Sequence, residues 1–465
     1  MIATTVPDVA TAAGTAASAW AATPHHHRAR ALDGIAAALE DDVTGIVEVA
    51  AAETSLGRDR ITSELARTTF QLRLFADLVR EGAHLRTVVS RADPQAPVAP
   101  RPDLRRTLVP IGPVAVFAAG NFPLAFSVAG TDTASALAAG CPVVVKVNPG
   151  HPRTSDRVAR LVTVALRDAG APDGVFAIVH GFAAGAELVS HPAISAATFT
   201  GSVRGGRALF DLAAARPVPI PFFGELGSLN SLTVTAAAAR DRGAEIAADL
   251  AASVLLGGGQ FCTKPGLVLL PRTPEGARVE TELARLVAAA PAVILLDDHV
   301  HDGFAASCRA LEADDRVRLL AAGGVAAGAA TPALYAVEGA PLPDVALEEC
   351  FGPAVVVASY ADDAELLTLA GGLPGALTAT VHSQAEDSDL LTRLVATLAP
   401  RVGRLVFDQY PTGVAVDPAM QHGGPYPSST DPRFGSVGTA AIDRFLRPIA
   451  YQNAPPSILP RELQN

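Results

Sequence analysis

Apolar positions in the first eighty residues recur at helical spacing, at Leu32, Ile35 and Leu39 and again at Leu65, Phe70, Leu74 and Leu78. A 3.6-residue period puts each set on one face, so residues 8–82 are expected to form amphipathic helices covering a sheet. A Pro-rich stretch, 93–102, precedes residues 104–109, whose alternation suits an exposed or intermolecular strand. From Val114 the period changes. Short β-branched runs at 114–117, 143–146, 175–179 and 196–199 alternate with helical segments opening at Pro123, Ser155, Ala183 and Val203. This interval implies parallel βαβ units in a doubly wound α/β sheet. A second series from about Leu229 to Ala399, with strands at 266–270, 354–358 and 377–381, predicts a second α/β domain. Residues 403–465 are rich in Gly, Pro and Ser apart from a helical pattern at 439–445, which suits a long functional loop and a packed terminus.

Composition narrows the function classes. The chain has 465 residues, about three domain-sized units at roughly 150 residues each. Hydrophobic residues make up 49% and charged residues 18%, so disorder is excluded as the main state. Net charge −11 leaves no general basic footprint for nucleic acid or an anionic membrane. Only Lys146 and Lys264 among the 36 basic residues are lysine, which makes each worth following. Ahead of Arg28 there is no Lys or Arg and no continuous apolar run, so no secretory signal is read and a cytoplasmic protein is expected. The uncharged stretch 108–131 is long enough to span a bilayer, but Pro110, Pro113, Gly120, Asn121 and Pro123 break it into a buried strand, a loop and a helix start.

Four cysteines, Cys141, Cys262, Cys308 and Cys350, form neither a C-x-x-C pair nor a disulfide framework. Cys262 stands apart, because Gly257-Gly-Gly-Gln-Phe precedes it and glycines allow a ligand close to the backbone beside a small nucleophile. The other three adjoin apolar strands or a helix and read as small core residues. Glu225, between Gly224 and Leu226-Gly227 beside an apolar run, is a candidate general base whose pKa burial would raise. Asn121 follows a buried strand and opens a helix, as a cap or as an amide donor to an oxyanion. Lys146 ends a strand at the edge where open α/β sheets bind ligands. No G-x-G-x-x-G follows the first strand, and the imitation Gly323-Gly-Val-Ala-Ala-Gly lacks the flanking strand and helix. The group Asp297, Asp298, His299 and His301 reads as a solvated loop rather than a metal site, and the run 25–27 of histidines likewise; no metal is expected.

Six ordered motifs, Ala119-Gly-Asn-Phe-Pro, Val145-Lys-Val-Asn-Pro, Phe199-Thr-Gly-Ser, Gly224-Glu-Leu-Gly, Gly259-Gln-Phe-Cys-Thr and Glu348-Glu-Cys-Phe-Gly-Pro, resemble the aldehyde dehydrogenase superfamily over nearly the whole chain. More narrowly, Gly224-Glu-Leu-Gly-Ser-Leu-Asn, Gly259-Gln-Phe-Cys-Thr-Lys-Pro-Gly, Tyr410-Pro-Thr-Gly-Val and His422-Gly-Gly-Pro-Tyr-Pro resemble the branch that oxidises 2-oxoglutarate semialdehyde (2,5-dioxopentanoate) to 2-oxoglutarate. The resemblance implies a Cys262 thiolate attacking the aldehyde, an oxyanion held by Asn121 and the Cys262 N–H, hydride transfer to a nicotinamide, and hydrolysis of the thioester by water activated by Glu225. It gives Lys146 the adenosine ribose region, Gly201 and Ser202 the dinucleotide near the helix at Val203, and Glu349 and Phe351 the nicotinamide ribose and ring. Many NAD-preferring members carry a Glu three residues after the lysine; here Pro149 stands there, with His151 and Arg153 following. Loss of that carboxylate removes repulsion of a 2′-phosphate and Arg153 could pair with it, so NADP is expected over NAD.

The resemblance further implies an aldehyde dehydrogenase-like fold. Its parts are a Rossmann-type cofactor domain (1–103 and 112–224), a catalytic domain (225–425) and a small β oligomerisation extension (104–111 and 446–465), with a homodimer or homotetramer expected. The cation for a distal carboxylate is left open among many arginines, Arg433 being a guess. Alternatives are a broad or fatty aldehyde dehydrogenase with NADP, an acyl-phosphate reductase, which would not need Glu225, and a silent binding protein, which would have lost Cys262 or Glu225.

Overall fold

The computed structural model describes residues 5–464. Helices α1 (Val6–Ala22), α2 (His25–Asp41), α3 (Val43–Thr54) and α4 (Arg58–Glu81) open the chain. Thr5 and Asp8 cap α1 reciprocally. On α2 the expected face, Leu32, Ile35 and Leu39, is buried. On α4 it holds only in part: Leu65 is buried and Leu74 and Leu78 are half-buried, but Phe70 is 53% exposed, and Ile61, Leu72, Phe75 and Val79 complete the inward face. The buried stripe of α4 also carries Glu64, Thr68 and Gln71, whose polarity disguises the true face.

Strands β1 (Val88–Ser90) and β2 (Leu104–Pro110) are followed by the first parallel sheet. It comprises β3 (Val114–Phe117), β4 (Val143–Lys146), β5 (Phe176–Val179), β6 (Ala196–Thr200) and β7 (Phe222–Glu225), in the order β5-β4-β3-β6-β7. Helices α5 (Thr131–Ala139), α6 (Pro152–Asp168), α7 (Phe182–Ser190) and α8 (Val203–Ala214) connect these strands. The order reverses at β3/β6, so the carboxyl ends of the strands form the crevice where ligands bind in such sheets. Expected strand positions hold to within a residue, but α5 begins at Thr131 rather than Pro123. The Glu64 carboxylate accepts from the Leu124 and Ala125 N–H groups at 2.8 and 2.9 Å, holding them in turns. An acceptor sixty residues upstream leaves no local sequence signal.

The second sheet contains β8 (Asn230–Val234), β9 (Pro265–Pro271), β10 (Arg318–Ala322), β11 (Ala333–Glu338), β12 (Ala354–Tyr360), β13 (Ala376–His382) and β14 (Val402–Phe407). Its order is β10-β11-β12-β9-β8-β13-β14, parallel except where β10 pairs with β11. Helices α9 (Ala236–Leu255), α10 (Pro274–Ala289), α11 (Asp298–Ala313), α12 (Asp363–Gly372) and α13 (Ser388–Leu398) flank it. Gly323 does follow a strand, β10, but β11 and no helix comes next. The expected loop at 297–301 instead opens α11, with Asp297 capping it through the Val300 N–H at 2.8 Å, and the histidines of 25–27 open α2.

Strand β15 (Leu446–Gln452) pairs antiparallel with β2 over its whole length, and β1 takes the other edge of β2. The two expected oligomerisation segments therefore meet within one chain. Residues 408–438 return to the first sheet, where the Leu226 N–H donates to the Ser428 carbonyl at 2.8 Å and Thr430 brackets Gly224. The domain boundary expected at 425 falls inside this loop, which belongs to both halves. Among the described residues no helix is long and apolar enough to cross a membrane.

Candidate active site

The cysteine loop is set by backbone conformation. Gly257, Gly258 and Gly259 follow α9 with φ of 57°, 67° and 68°, all left-handed. A Cβ on Gly259 would stand 2.1 Å from the Gly352 carbonyl oxygen, so only glycine lets this loop lie against the segment that carries Phe351. Cys262 follows, half-buried. The Asn230 side chain, at the start of β8, donates to the carbonyls of Cys262 and Lys264 at 2.8 and 3.0 Å. Lys264 is buried and donates to the Cys350 and Ala354 carbonyls at 2.9 and 2.6 Å. One of the two lysines thus ties the cysteine loop to the strand entry beside Glu349, and burial pushes its pKa down.

Glu225 ends β7, with the side chain 6% exposed. Its Oε1 lies 2.8 Å from His422 Nε2, and Ser436 donates its hydroxyl to Oε2. The same Nε2 lies 3.5 Å from Cys262 Sγ. One donor atom from each of Glu225, Cys262 and His422 lies within 4.8 Å of the others. Such a trio could ligate a metal ion, yet a carboxylate hydrogen-bonded to the imidazole already gives it a proton-transfer use.

The electrostatics correct one expectation. Burial alone would push the Glu225 carboxyl up, but the His422 ring and the Ser436 hydroxyl outweigh it and hold Glu225 below the usual carboxylate range. Burial opposes charge on His422 as well, but the Glu225 carboxylate and the Cys262 sulfur overcome it and push His422 up to about 10. The pair is therefore imidazolium and carboxylate at neutral pH. His422 stands in a motif that carries no role for it in the sequence, since it lies 160 residues from Cys262 without a fixed spacing to it. Ser436 and Asn230 escape sequence reasoning for the same reason.

Asn121 donates its side-chain amide to the Gln260 carbonyl at 3.0 Å, which places that amide beside the cysteine loop with one N–H left for an oxyanion. Arg433 is engaged elsewhere: it is exposed and paired to Asp431 at 2.5 Å.

Of the residues given to a cofactor, Lys146, Gly201 and Ser202 lie at the carboxyl edge of the first sheet, and Glu349 reaches toward the start of α8. Lys146 ends β4, half-buried, with no carboxylate within ion-pair distance among the described residues. Gly201 and Ser202 follow β6, and the Ser202 hydroxyl accepts from the Gly205 N–H at 3.2 Å to cap α8. Glu349 is half-buried, its Oε2 2.6 Å from where a Gly227 Cβ would be, and Val203 of α8 flanks the same point at 3.3 Å. Burial pushes Glu349 up to about 7, against the opposing pull of Lys264 and a Ser228 backbone hydrogen bond. Phe351 is half-buried in the same segment. A helix N-terminus, a cation without a counter-ion and a carboxylate fit the phosphates and ribose hydroxyls of a dinucleotide. Arg153 is exposed on the first turn of α6, whose N-terminus is already taken by Glu53 accepting from the Arg153 and Thr154 N–H groups at 2.8 and 2.7 Å.

The chain is similar to known proteins over most of its length. Alpha-ketoglutaric semialdehyde dehydrogenase 2 of Azospirillum brasilense is 44% identical over 452 residues, covering 96% of this chain and 86% of that protein. Alpha-ketoglutaric semialdehyde dehydrogenase of Acinetobacter baylyi is 42% identical, covering 95% and 85%. Among solved structures, 3,6-anhydro-L-galactose dehydrogenase matches with a TM-score of 0.80 at 21% identity, covering 96% of this chain and 90% of that one. Bradyrhizobium japonicum proline utilization A matches with a TM-score of 0.82 at 24% identity, and this chain spans only 44% of it. These two likenesses concern the fold. The aldehyde dehydrogenase family profile covers residues 2–448, and with a cysteine, a carboxylate and an amide assembled at the crevice between two α/β sheets, the chain belongs to the aldehyde dehydrogenase family.

Proposed function

We propose that this enzyme oxidises 2,5-dioxopentanoate to 2-oxoglutarate with NADP, using Cys262 as nucleophile. The observation that carries the chemistry is the His422 Nε2 placed 3.5 Å from the Cys262 sulfur and 2.8 Å from the Glu225 carboxylate. The substrate reading is supported by the two semialdehyde dehydrogenases that the chain resembles at 44% and 42% identity.

Cys262 sulfur attacks the aldehyde carbon, and the thiol proton is lost from the site. The oxyanion that forms takes hydrogen bonds from the Asn121 amide and the Cys262 backbone N–H. Lys146, Gly201, Ser202, Glu349 and Phe351 would hold a nicotinamide dinucleotide, which when bound would supply the hydride acceptor needed for the adduct to become a Cys262 thioester. Glu225, ionised at neutral pH, takes a proton from water as the water attacks the thioester. The expelled sulfur is received by the His422 N–H, and Ser436 keeps the carboxylate oriented throughout. Protons leave to solvent with the product acid.

NADP is favoured because Pro149 places no carboxylate after Lys146, and because the Arg153 side chain is exposed without an acidic partner among the described residues. Since Glu53 fills the α6 N-terminus, a 2′-phosphate would depend on side chains alone. The expected kcat/KM is at least about tenfold higher with NADP than with NAD, on the scale of one charge-assisted pair; a clear NAD preference would overturn this part. 2-Oxoglutarate and NADPH should appear in equal amounts from 2,5-dioxopentanoate, and oxidation without 2-oxoglutarate would sink the substrate assignment.

Glu349 gives a pH signature. It accepts from ribose hydroxyls more strongly as a carboxylate than as an acid, and its pKa is raised to about 7. KM for the cofactor should therefore rise as pH falls through 7, while Glu349→Gln should have a high KM that no longer changes there. A cofactor KM that is flat in the wild type across this range contradicts the role.

A further inference from the structure

We propose that Arg60, Arg67 and Arg404 form an anion-binding subsite for a carboxylate at the far end of the aldehyde substrate. This rests on the reading that the substrate is a short carboxylated aldehyde. Arg60 and Arg67 lie on α4 and Arg404 on β14, all half-buried.

Each arginine is anchored to backbone at the walls of the cysteine crevice. Arg60 Nη2 donates to the Asn121 carbonyl at 2.6 Å, and its guanidinium stacks over the rings of Phe261 and Phe122 at 4.6 and 5.0 Å. Phe261 immediately precedes Cys262. Arg67 donates to the Val414 carbonyl and lies 6.0 Å from the ring of Phe126, itself 6.2 Å from His422. Arg404 donates to the Pro411 and Gly413 carbonyls at 2.6 and 3.3 Å, so it and Arg67 grip the same loop. Arg67 and Arg404 are both within electrostatic reach of the Cys262 sulfur.

What marks the cluster is that no carboxylate pairs with it directly: Glu64 attracts Arg60 and Arg67 only from beyond ion-pair distance. Among the described residues no carboxylate lies within ion-pair distance of any of the three, although arginines elsewhere in the chain are paired repeatedly. Arg60 Nε and Nη1, Arg67 Nε and Arg404 Nε are buried without a hydrogen-bond partner. The nearest acid on the same helix, Glu64, has one oxygen committed to the Leu124 and Ala125 N–H groups, and its other oxygen is also without a partner. Half-buried guanidinium groups with unmade hydrogen bonds are costly unless a ligand completes them. A planar, forked donor set suits a carboxylate better than it suits an apolar chain. Four C–C bonds of about 1.5 Å put the carboxylate of a C5 aldehyde roughly 5 Å from the carbon under attack, the span such a subsite has to serve. Net charge −11 thus coexists with a local cationic pocket.

The test is a substrate and protein cycle read as a ratio. Specificity constants, kcat/KM, are measured for 2,5-dioxopentanoate, its methyl ester and pentanal, in the wild type, in Arg60→Gln and in Arg67→Gln, and the value for the acid is divided by that for each uncharged analogue. The expected wild-type ratios are at least about 100, on the scale of a buried charged hydrogen-bonded pair, and each Gln variant should lower them at least about tenfold, with Arg67→Lys keeping more of the preference than Arg67→Gln. A merely structural role would lower all three substrates together and leave the ratios unchanged, which would overturn the subsite. If a variant does not fold, the wild-type ester comparison still decides, because equal use of acid and ester removes the need for a cationic pocket. Succinate semialdehyde separates the two levels. Preference for it over 2,5-dioxopentanoate, with the same arginine dependence, upholds the subsite and overturns the C5 assignment, whereas preference for pentanal over both acids overturns both.

Discussion

Cys262→Ala is expected to abolish aldehyde oxidation, with kcat lowered by at least about 10⁴-fold and NADP binding within about twofold of wild type. The size follows from the lack of a substitute nucleophile: among the described residues Cys262 is the one cysteine grouped with the Glu225–His422 pair. Cys141 is buried behind β4, and burial pushes its thiol up to about 11. Cys308 sits on α11, and Cys350 is buried in the segment that Lys264 anchors. None can replace a sulfur 3.5 Å from His422 Nε2. Cofactor affinity should survive because Lys146, Gly201 and Ser202 lie on the first sheet, outside the cysteine loop. NADPH formation and direct NADP titration check both halves, and a variant that keeps full turnover would show that another group is the nucleophile.

Glu225→Gln and His422→Asn should separate the two halves of the cycle. With Gln at 225 the thioester still forms, so a burst near one NADPH per chain is expected, followed by a steady rate reduced about 10²–10⁴-fold. Rapid mixing reads the burst directly, and its absence together with a slow first turnover would move Glu225 out of thioester hydrolysis. His422→Asn acts through the carboxylate. In the wild type the His422 cation holds Glu225 below its ordinary 4.5, so Glu225 contributes no acid limb above that pH. Without the cation, burial is opposed mainly by Ser436, the Glu225 pKa rises, and the ionised base is lost as pH falls through the new value. An acid limb of kcat moving toward neutrality is therefore expected in His422→Asn. A uniform loss with no change in pH profile would reduce His422 to a packing role.

Much of the molecule is legible in the sequence where the information is local. β-branched runs mark β3, β4, β6, β9, β12 and β13 because parallel strands are buried on both faces and need continuous apolar residues. Cys262 is legible because three glycines in a row announce an unusual backbone, and they are indeed all left-handed. What the sequence hides is tertiary. The buried face of α4 is disguised because Glu64, Thr68 and Gln71 point inward, and the same Glu64 delays α5 by eight residues of turn. β7 and β8 do not separate as strands in the pattern, since Gly224 and Gly227 interrupt the apolar run where Glu225 has to emerge. His422 and Ser436 lie in a Gly- and Pro-rich loop with no periodicity, and only the fold of 408–438 onto β7 brings them to Glu225. The arginine cluster is hidden by abundance: in a chain with 34 arginines, position alone cannot say which three lack acids. Arg433, the candidate from sequence, is one that has its acid.

A cysteine–histidine–glutamate site that oxidises a short carboxylated aldehyde should discriminate sharply against apolar ones. The most direct measurement is kcat/KM for hexanal, nonanal and 2,5-dioxopentanoate, each with saturating NADP and at one neutral pH. 2,5-Dioxopentanoate is expected ahead of both alkanals by at least about 100-fold, the scale of one well-made charged contact in a partly dry pocket. Hexanal or nonanal ahead of 2,5-dioxopentanoate would contradict this and make the enzyme one for apolar aldehydes.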